Sequence, residues 1–362
     1  MKKRYIKLNN LTVFCRQIFQ SYGFSTEQSE LITQVLLTAD CFGIESHGVQ
    51  RLMRYHDEIT RGMVLVNAQA EIVYETPLSA VIDANQAMGQ LIADKAMRLA
   101  IRKAENSGIG LVAVRNSNHY GIAGYYTRMA SEHDLIGISM TNTEAIMVPT
   151  FGCQAMLGTN PIALAMPADP VPFLFDAATT VVTRGKIEVL HKQGKDLPVG
   201  WAIDGQGDVT PDAGLVLDNI IQKGKGGILP LGGAGETNGG HKGYGLALIC
   251  ELLTGIMAGG PTANHLSSVA QQAQTSHCFW AVDYGLFGSK AERRSSFSRY
   301  LQELRDSARA LDCPRIYTHG EKELENSRKV EAEGVPINEK TYEELCLIAR
   351  ERAVDLCSIQ LQ

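Results

Sequence analysis

Gly108-Ile109-Gly110-Leu111-Val112-Ala113 matches G-x-G-x-x-A, the glycine fingerprint of dinucleotide-binding turns, and how it is read decides the fold. In that fingerprint the glycines close a strand-to-helix turn, so the amides of the helix N-terminus face a pyrophosphate. Here the order is reversed. From Leu91 to Glu105, Ile92, Ala93, Ala96, Met97, Ala100, Ile101 and Ala104 fill one half of a helical wheel, and Asp94, Lys95, Arg98, Arg102 and Glu105 fill the other. The motif therefore follows a helix and opens a strand, Ile109 to Val114, with Gly108 as the helix C-cap. The chain also has no Walker sequence, so any nucleotide is held by a non-Rossmann construction.

Upstream, Ser25-Thr26-Glu27-Gln28 reads as a capping box, and Leu31, Ile32, Val35, Leu36 and Ala39 recur at helical spacing behind it. That predicts a helix to about Cys41, broken at Gly43. A second helix is expected from Ser46 as cap to about Arg61-Gly62, which would place His47 at a helix N-terminus and disfavour charge on it. His47, Arg51 and Tyr55 stand at four-residue intervals, so on a helix they share one face. Arg51 can grip a carboxylate through two parallel hydrogen bonds, and an imidazole beside it can exchange a proton near neutral pH. An ordinary solvated helix face would carry the same residues. Pro77 to Asp83 reads as a strand and Ala84-Asn85-Gln86 as a turn.

Downstream, the loop Arg115 to Gly121 sets His119 between Asn118 and Tyr120 after a buried strand, a common position for a proton-transfer group. A helix from about Ile122 to His133 and a strand from Leu135 to Thr141 follow. The region 145 to 235 reads as antiparallel strands and turns, with turn chemistry at Asp204-Gly205 and Gly207-Asp208 and a flexible connector at Lys223 to Gly227. Within it Asp176 stands at a strand end, placed to orient an imidazole or a ribose hydroxyl, or simply to cap a helix. Gly239-Gly240-His241-Lys242-Gly243-Tyr244-Gly245 can present helix-start amides and a lysine to an anion, or can be a hinge for close packing. Its helix, to Ala258, is apolar almost all round and is expected to be buried. Pro261 to Gln274 reads as a loop, Cys278 to Val282 as a strand, and 290 to 311 and 338 to 353 as closing helices.

At 362 residues the chain exceeds one usual core, so two or three subdomains are expected. Hydrophobic residues at 44% and charged residues at 20% are those of an ordinary globular protein. A formal charge of -5 with no basic face argues against nucleic acid as a partner. The longest apolar run, Tyr244 to Ala258, is too short for a membrane span, and no signal peptide opens the chain. A cytoplasmic protein is expected. Eight scattered cysteines without a Cys-x-x-Cys pair fit reduced thiols and no structural zinc.

Together, Ser46-His47-Gly48 with Arg51, Asn118-His119-Tyr120-Gly121, Gly158-Thr159-Asn160-Pro161, Phe175-Asp176-Ala177-Ala178-Thr179-Thr180 with Gly185-Lys186, and Gly240 to Gly245 resemble, in order over about 40 to 320, the type-2 malate/L-lactate dehydrogenase family, also called L-sulfolactate-dehydrogenase-like. The resemblance implies a homodimeric oxidoreductase using NAD or NADP, with a mixed α/β, non-Rossmann fold. It further implies a helical domain from both chain ends (1–75 plus 290–362), a central, mostly antiparallel cofactor-binding domain (76–190 plus 236–289) and a small third domain (191–235). On the cofactor side fall Thr143, Gly158, Thr159, Asn160, Asp176, Ala177, Ala178, Lys186 and Lys242, with Gly320 and Glu321, where His319 replaces the family's more frequent proline.

For the chemistry, His119 and His47 are both candidates for the acid/base; His119 is favoured as proton carrier with His47 as polarising partner, an assignment the resemblance does not fix, and Asp176 stands beside them. Arg51 would clamp the substrate carboxylate, and Asn118 or Tyr55 would fix the remaining oxygens. Malate or L-lactate is the expected substrate. A reductase of 2,3-diketogulonate, sulfopyruvate, a ureidoglycolate-type acid or a cyclic ketimine 2-carboxylate would share the same carboxylate clamp. A non-catalytic nucleotide-binding protein on this fold is the alternative from another class. A metal-dependent hydrolase is disfavoured by the absence of ligand spacing.

Overall fold

The computed structural model describes residues 4–266, 274–357 and 359. In chain order they form β1 (Arg4–Ile6), α1 (Leu8–Ser21), α2 (Thr26–Cys41), α3 (Leu52–Thr60), β2 (Glu71–Glu75), β3 (Ser79–Asp83), α4 (Gly89–Ser107), β4 (Ile109–Ser117), α5 (Ala123–Glu132) and β5 (Ile136–Thr141). There follow β6 (Ile162–Met166), β7 (Phe173–Ala177), α6 (Arg184–Lys192), β8 (Ala202–Ile203), α7 (Ala213–Gln222), β9 (Gly227–Ile228), α8 (Gly240–Glu251), β10 (Thr275–Val282), α9 (Lys290–Asp306), α10 (Glu321–Glu333), β11 (Val335–Ile337) and α11 (Glu339–Glu351).

A seven-stranded sheet in the order β2-β3-β4-β10-β5-β6-β7 carries the centre, and only its β3–β4 pair is parallel. The fold is thus mixed α/β with a mostly antiparallel sheet, without the parallel doubly wound sheet of a Rossmann domain. The decoy fingerprint explains itself at β4. Gly108 closes α4 in the left-handed region, at φ +83°, with its N–H on the Ala104 carbonyl at 2.7 Å. A Cβ on Gly110 would lie 2.0 Å from the carbonyl oxygen of Ala100, so this glycine lets β4 lie directly against α4. Gly110→Ala is therefore expected to cost about 1–3 kcal/mol in overpacking, read as a lower midpoint in thermal denaturation. Lost dinucleotide affinity at unchanged stability would instead point to a phosphate-binding role.

Three large hydrophobic cores stand out among the described residues. The first lies between the sheet and α4 and α5, and includes Ala93, Ala96, Met97, Val112, Val114, Tyr126 and Phe279. The second joins the chain ends through Leu11, Phe14, Ile18, Ile32, Leu36, Leu52, Leu345 and Ile348, with β1 paired to β11. The third, within 146 to 228, includes Ile146, Ile187, Val216 and Ile228. The capping box at Ser25 forms as expected, its side chain accepting from the Gln28 amide.

Several elements depart from expectation. The region read as strands and turns contains α6 and α7; α7 is short and carries exposed Leu215 and Ile221 beside its buried Ala213, Val216, Leu217 and Ile220, which blurs its helical period, and Asp212 caps it with 3.0 Å to the Leu215 amide. Lys223 to Gly227 is not simply a connector, since Gly227 begins β9. Nothing in the sequence reading anticipated α10, which is charged at most positions and buries only Val330. The helix expected to be buried, α8, packs through Gly243, whose Cβ would lie 2.2 Å from the Leu231 carbonyl, but leaves Leu246, Leu248 and Ile249 exposed. Leu252, Ile256 and Met257 extend that apolar surface through a π-turn. Part of the expected loop Pro261 to Gln274 lies outside the described residues. Among the described residues, no helix is long and apolar enough to cross a membrane.

Candidate active site

The segment after α2 does not enter a helix at Ser46. It makes two 3-10 turns, Glu45–His47 and Val49–Arg51, before α3 begins at Leu52. The cause is Asp40, in the last turn of α2: its buried Oδ2 takes the Val49 N–H at 2.7 Å, and a Cβ on Gly48 would lie 1.9 Å from its Oδ1. A carboxyl group thus fills the bend, which only glycine permits at position 48. Burial pushes the Asp40 carboxyl up to about 8. This folded value lies above the unfolded one, so the unfolded chain ionises first, and stability from this group falls as pH rises from about 4 to about 8. Asp40→Asn keeps an oxygen for Val49 and does not titrate. Its melting temperature relative to wild type is expected to be higher at pH 8 than at pH 5 in calorimetry; a pH-independent difference would contradict this titration.

Because of the bend, His47, Arg51 and Tyr55 do not share one α-helical face, yet they converge in space. The rings of His47 and His119 stack with centroids 5.5 Å apart and planes at 27°. The Tyr55 hydroxyl meets His119 Nδ1 at 2.8 Å, and Ser46 Oγ meets His47 Nδ1 at 2.9 Å. Arg51 Nε donates to the Ser46 carbonyl at 2.5 Å, while neither terminal nitrogen of Arg51 has a hydrogen-bond partner among the described residues. The guanidinium is therefore anchored at one edge and open at the other. Burial, followed by the positive charges of Arg51 and Arg54, pushes His47 down to about 3. Burial and then Arg54, His47 and Arg51 hold His119 well below the ordinary imidazole range. Both rings are neutral at pH 7.

His119 sits just past β4. The start of α4 is pressed beneath its loop: a Cβ on Gly89 would lie 2.4 Å from the carbonyl oxygens of both Asn118 and His119. Asn118 Nδ2 holds the carbonyls of Gln86 (3.0 Å) and Ala87 (2.9 Å), leaving its buried Oδ1 without a partner. Behind the loop, His277 bonds Thr141 Oγ1 at 2.8 Å and Ser117 Oγ at 2.9 Å, and stacks on Tyr120 at 4.5 Å. It is a fully bonded core histidine.

Asp176 is the penultimate residue of β7, at the strand end as expected. Its carboxylate accepts the N–H groups of Gly124 (2.7 Å) and Ala123 at the start of α5, and burial raises it to about 6. It hydrogen-bonds no imidazole among the described residues, which corrects the expectation that it orients one. The helix it caps is α5, not one following it in sequence.

The other expected site residues gather around β7 and α8. Thr143 Oγ1 accepts from the Thr159 amide at 2.9 Å, and a Cβ on Gly158 would lie 2.2 Å from that oxygen. Asn160 gives its Nδ2 to the Ala247 carbonyl (3.1 Å) and to Glu251 (2.9 Å), while its buried Oδ1 has no partner. After Ala177 and Ala178, the Thr179 amide bonds the Thr159 carbonyl, and the Thr179 carbonyl accepts from Leu231, which packs on Gly243 of α8. Lys242 occupies the first turn of α8 behind Gly239, a left-handed N-cap. Lys186 lies in the first turn of α6, where a Cβ on Gly185 would lie 3.8 Å from Ser46 Cβ, so this helix start abuts the His47 turn. Gly320 caps α10 against the Pro172 carbonyl beside β7, and Glu321 binds back to the Thr318 amide at 2.5 Å. Glycine-lined backbone, an unpaired amide oxygen, and Lys186 and Lys242 without ion-pair partners among the described residues fit a polar, anionic dinucleotide. Asp40 was missed in the sequence, since a side chain that accepts an amide nine residues on carries no period or motif.

A family model described as malate/L-lactate dehydrogenase matches residues 6–346. The chain is 42% identical over 354 residues to a malate dehydrogenase of Pyrococcus abyssi, covering 96% of this chain and 95% of that protein. It is 36% identical over 342 residues to an L-sulfolactate dehydrogenase of Methanocaldococcus jannaschii, covering 94% of each. Its structure superposes on the crystal structure of malate dehydrogenase from Entamoeba histolytica with a TM-score of 0.94 at 32% identity, over 98% of this chain and 99% of that one. A match over nearly the whole length, on a fold that holds two histidines against an open arginine, places this chain in the malate/L-lactate dehydrogenase family.

Proposed function

We propose that this protein interconverts a 2-hydroxy acid and its 2-oxo acid by hydride exchange with NAD or NADP, with malate and oxaloacetate as the first-choice pair. The observation that carries this reading is Arg51, anchored to the Ser46 carbonyl with its outer edge open beside the stacked His47 and His119. Such an edge takes the planar carboxylate common to these acids. The similarity to a malate dehydrogenase at 42% identity favours malate among them.

When bound, the nicotinamide would supply or accept the hydride. Gly158, Thr159, Asn160, Thr143, Ala177, Ala178, Asp176, Lys186 and Lys242 would hold the dinucleotide, with Gly320 and Glu321 at its margin. Arg51 clamps the acid and fixes C2. His119, neutral in the free protein, accepts the hydroxyl proton in oxidation and returns it in reduction, and His47 polarises the same oxygen. Tyr55 holds His119 through Nδ1, and the unpaired Oδ1 of Asn118 is available to the substrate side.

The three cores support the division into a helical domain from both ends, a cofactor domain and a small third domain. We also infer a cytoplasmic homodimer. The exposed apolar surface on α8 supports the second copy, and sedimentation at the mass of one chain would count against it.

The deciding experiment is a panel of 2-oxo acids, including oxaloacetate, pyruvate and sulfopyruvate, each tested with NADH and NADPH and read at the nicotinamide absorbance band. Oxaloacetate reduction is the expected result. No oxidation of either cofactor with any acid would favour the non-catalytic reading.

A further inference from the structure

Glu251, the last residue of α8, is a buried carboxylate with no ion-pair partner among the described residues. Three N–H groups surround it instead. Asn160 Nδ2 reaches Oε1 at 2.9 Å, while Asn142 Nδ2 and the Ala263 amide reach Oε2 at 3.4 and 3.3 Å. Each oxygen thus faces donors, and the two oxygens serve different segments. Oε1 holds the stretch leading into β6; Oε2 holds the stretch leaving β5 and the turn after Pro261.

Both stretches carry residues given above to the dinucleotide: Thr143 follows Asn142, and Gly158 and Thr159 precede Asn160. Thr143 Oγ1 accepts the Thr159 amide at 2.9 Å. A Cβ on Gly158 would lie 2.2 Å from that hydroxyl and 2.7 Å from Asn160 Oδ1, so the glycine leaves a recess walled by these two oxygens. Asn160 sits in the left-handed region at φ +38°, which a residue with a Cβ seldom adopts. Its Nδ2 is spent on the Ala247 carbonyl and on Glu251, which turns the unpaired Oδ1 to the side of Gly158. Asn142 is pinned in its turn, by the Ser276 amide on its Oδ1 at 2.9 Å and by the Pro261 carbonyl on its Nδ2 at 3.0 Å. Directly after Glu251 the helix widens into the π-turn Leu252–Ile256, a feature frequent at functional sites. Gly255 of that turn closes on Asn142, where a Cβ would lie 3.1 Å from Nδ2.

We propose that Glu251 is a positioning residue whose carboxylate bridges Asn142 and Asn160 and so sets Thr143 against Gly158 and Thr159 in the dinucleotide site. The inference rests on the cofactor reading given above. The bridge needs the ionised form. A glutamine or a protonated carboxyl has one end that bears hydrogen, and here that end must face an N–H donor, so it keeps one stretch and releases the other. Burial raises the Glu251 carboxyl above the ordinary range, while the Asn160, Asn142 and Ala263 donors pull it back. The bridge is therefore complete at alkaline pH and lost as the pH falls through that raised value. The titratable and charged groups on the elements around it are Cys250 of α8, Cys278 and His277 of β10, Arg115 of β4, Glu144 after Asn142, and His265 after Ala263. Burial keeps the two thiols protonated and His277 neutral at pH 7, and Arg115 is tied to Asp83 at 2.9 Å.

The test measures NADH affinity by fluorescence from about pH 5 to about pH 8 for wild type and Glu251→Gln, with kcat and the KM for oxaloacetate at saturating NADH alongside. At the alkaline end the variant is expected to bind NADH about five- to thirtyfold more weakly, the scale of one lost hydrogen bond to a charged group. The ratio of the two affinities is expected to shrink toward unity as the pH falls and the wild-type bridge opens. Both kcat and the KM for the acid are expected to stay within about threefold. Asp176, raised by burial to about 6, titrates in both proteins and cancels in the ratio. A ratio that does not change with pH marks a plain structural defect and overturns the proposal, as does a ratio within about twofold of unity at the alkaline end. If Glu251→Gln fails to fold, wild type and Asp176→Asn are titrated in its place. A loss of NADH affinity at acid pH that persists in Asp176→Asn supports the bridge, and its disappearance there overturns it. A wild type that binds neither NADH nor NADPH ends the cofactor reading and this inference together, whereas a wild type that binds beside a flat ratio ends this inference alone.

Discussion

His119→Gln is expected to lower turnover by about a hundred- to ten-thousandfold in both directions, the range for removing a positioned general acid/base, while NADH affinity stays within about twofold. Glutamine keeps the length of the side chain and a donor but cannot carry the proton away. Tyr55 at 2.8 Å and the backbone carbonyls pressed by Gly89 leave little room for another group to take the place of the ring. Burial and the nearby arginines keep His119 neutral at pH 7, the form that accepts a hydroxyl proton. In reduction, the incoming carboxylate offsets part of the positive charge of Arg51 and Arg54, which eases protonation of the ring. His47→Gln is expected to cost less, since a glutamine there can still polarise the substrate oxygen through a hydrogen bond. A His119→Gln enzyme within threefold of wild type beside an inactive His47→Gln enzyme would exchange the two roles. Near wild-type turnover in both would remove the mechanism.

Arg51→Lys is expected to raise KM for the acid by about tenfold to a few hundredfold, with NADH affinity, followed by fluorescence, unchanged within about twofold. Two terms add. The lysine loses the parallel pair of hydrogen bonds to a planar carboxylate, each of the charge-assisted kind worth about 1.5–3 kcal/mol. It also has no Nε to anchor on the Ser46 carbonyl, the contact that now aims the open edge of the guanidinium. The charge is retained, so a small effect would mean that Arg51 acts through its field alone. Equal losses for acid and cofactor would place Arg51 in the fold, not at the substrate.

Much of this was legible in the chain. The amphipathic period of α4 and the position of Gly108 were enough to refuse a Rossmann turn, and the structure shows why: Gly110 meets a helix carbonyl where a pyrophosphate would have to sit. The ordered motifs around His47, His119, Gly158, Asp176 and Lys242 named the residues from which the two halves of the site are proposed. What escaped was of two kinds. The buried stripe of α7, Ala213, Val216, Leu217 and Ile220, is blurred by the exposed Leu215 and Ile221, and α10 is charged at most positions and buries only Val330, so neither helix announces itself by its own pattern. The bend at Gly48 depends on the Asp40 carboxylate taking an amide nine residues on, which local propensity cannot register.

The sequence by itself determined the class of fold, the absence of a Rossmann glycine turn, and the identity of the groups able to hold an acid and move a proton, since these follow from period, order and side-chain chemistry. Only the tertiary structure decided how those groups meet. It broke the expected His47 helix into two tight turns, stacked His47 on His119, and turned Asp176 away to cap α5. The reason is physical: a buried hydrogen bond is chosen by whichever donors and acceptors packing leaves together, and that set is fixed only once the distant segments have closed on one another.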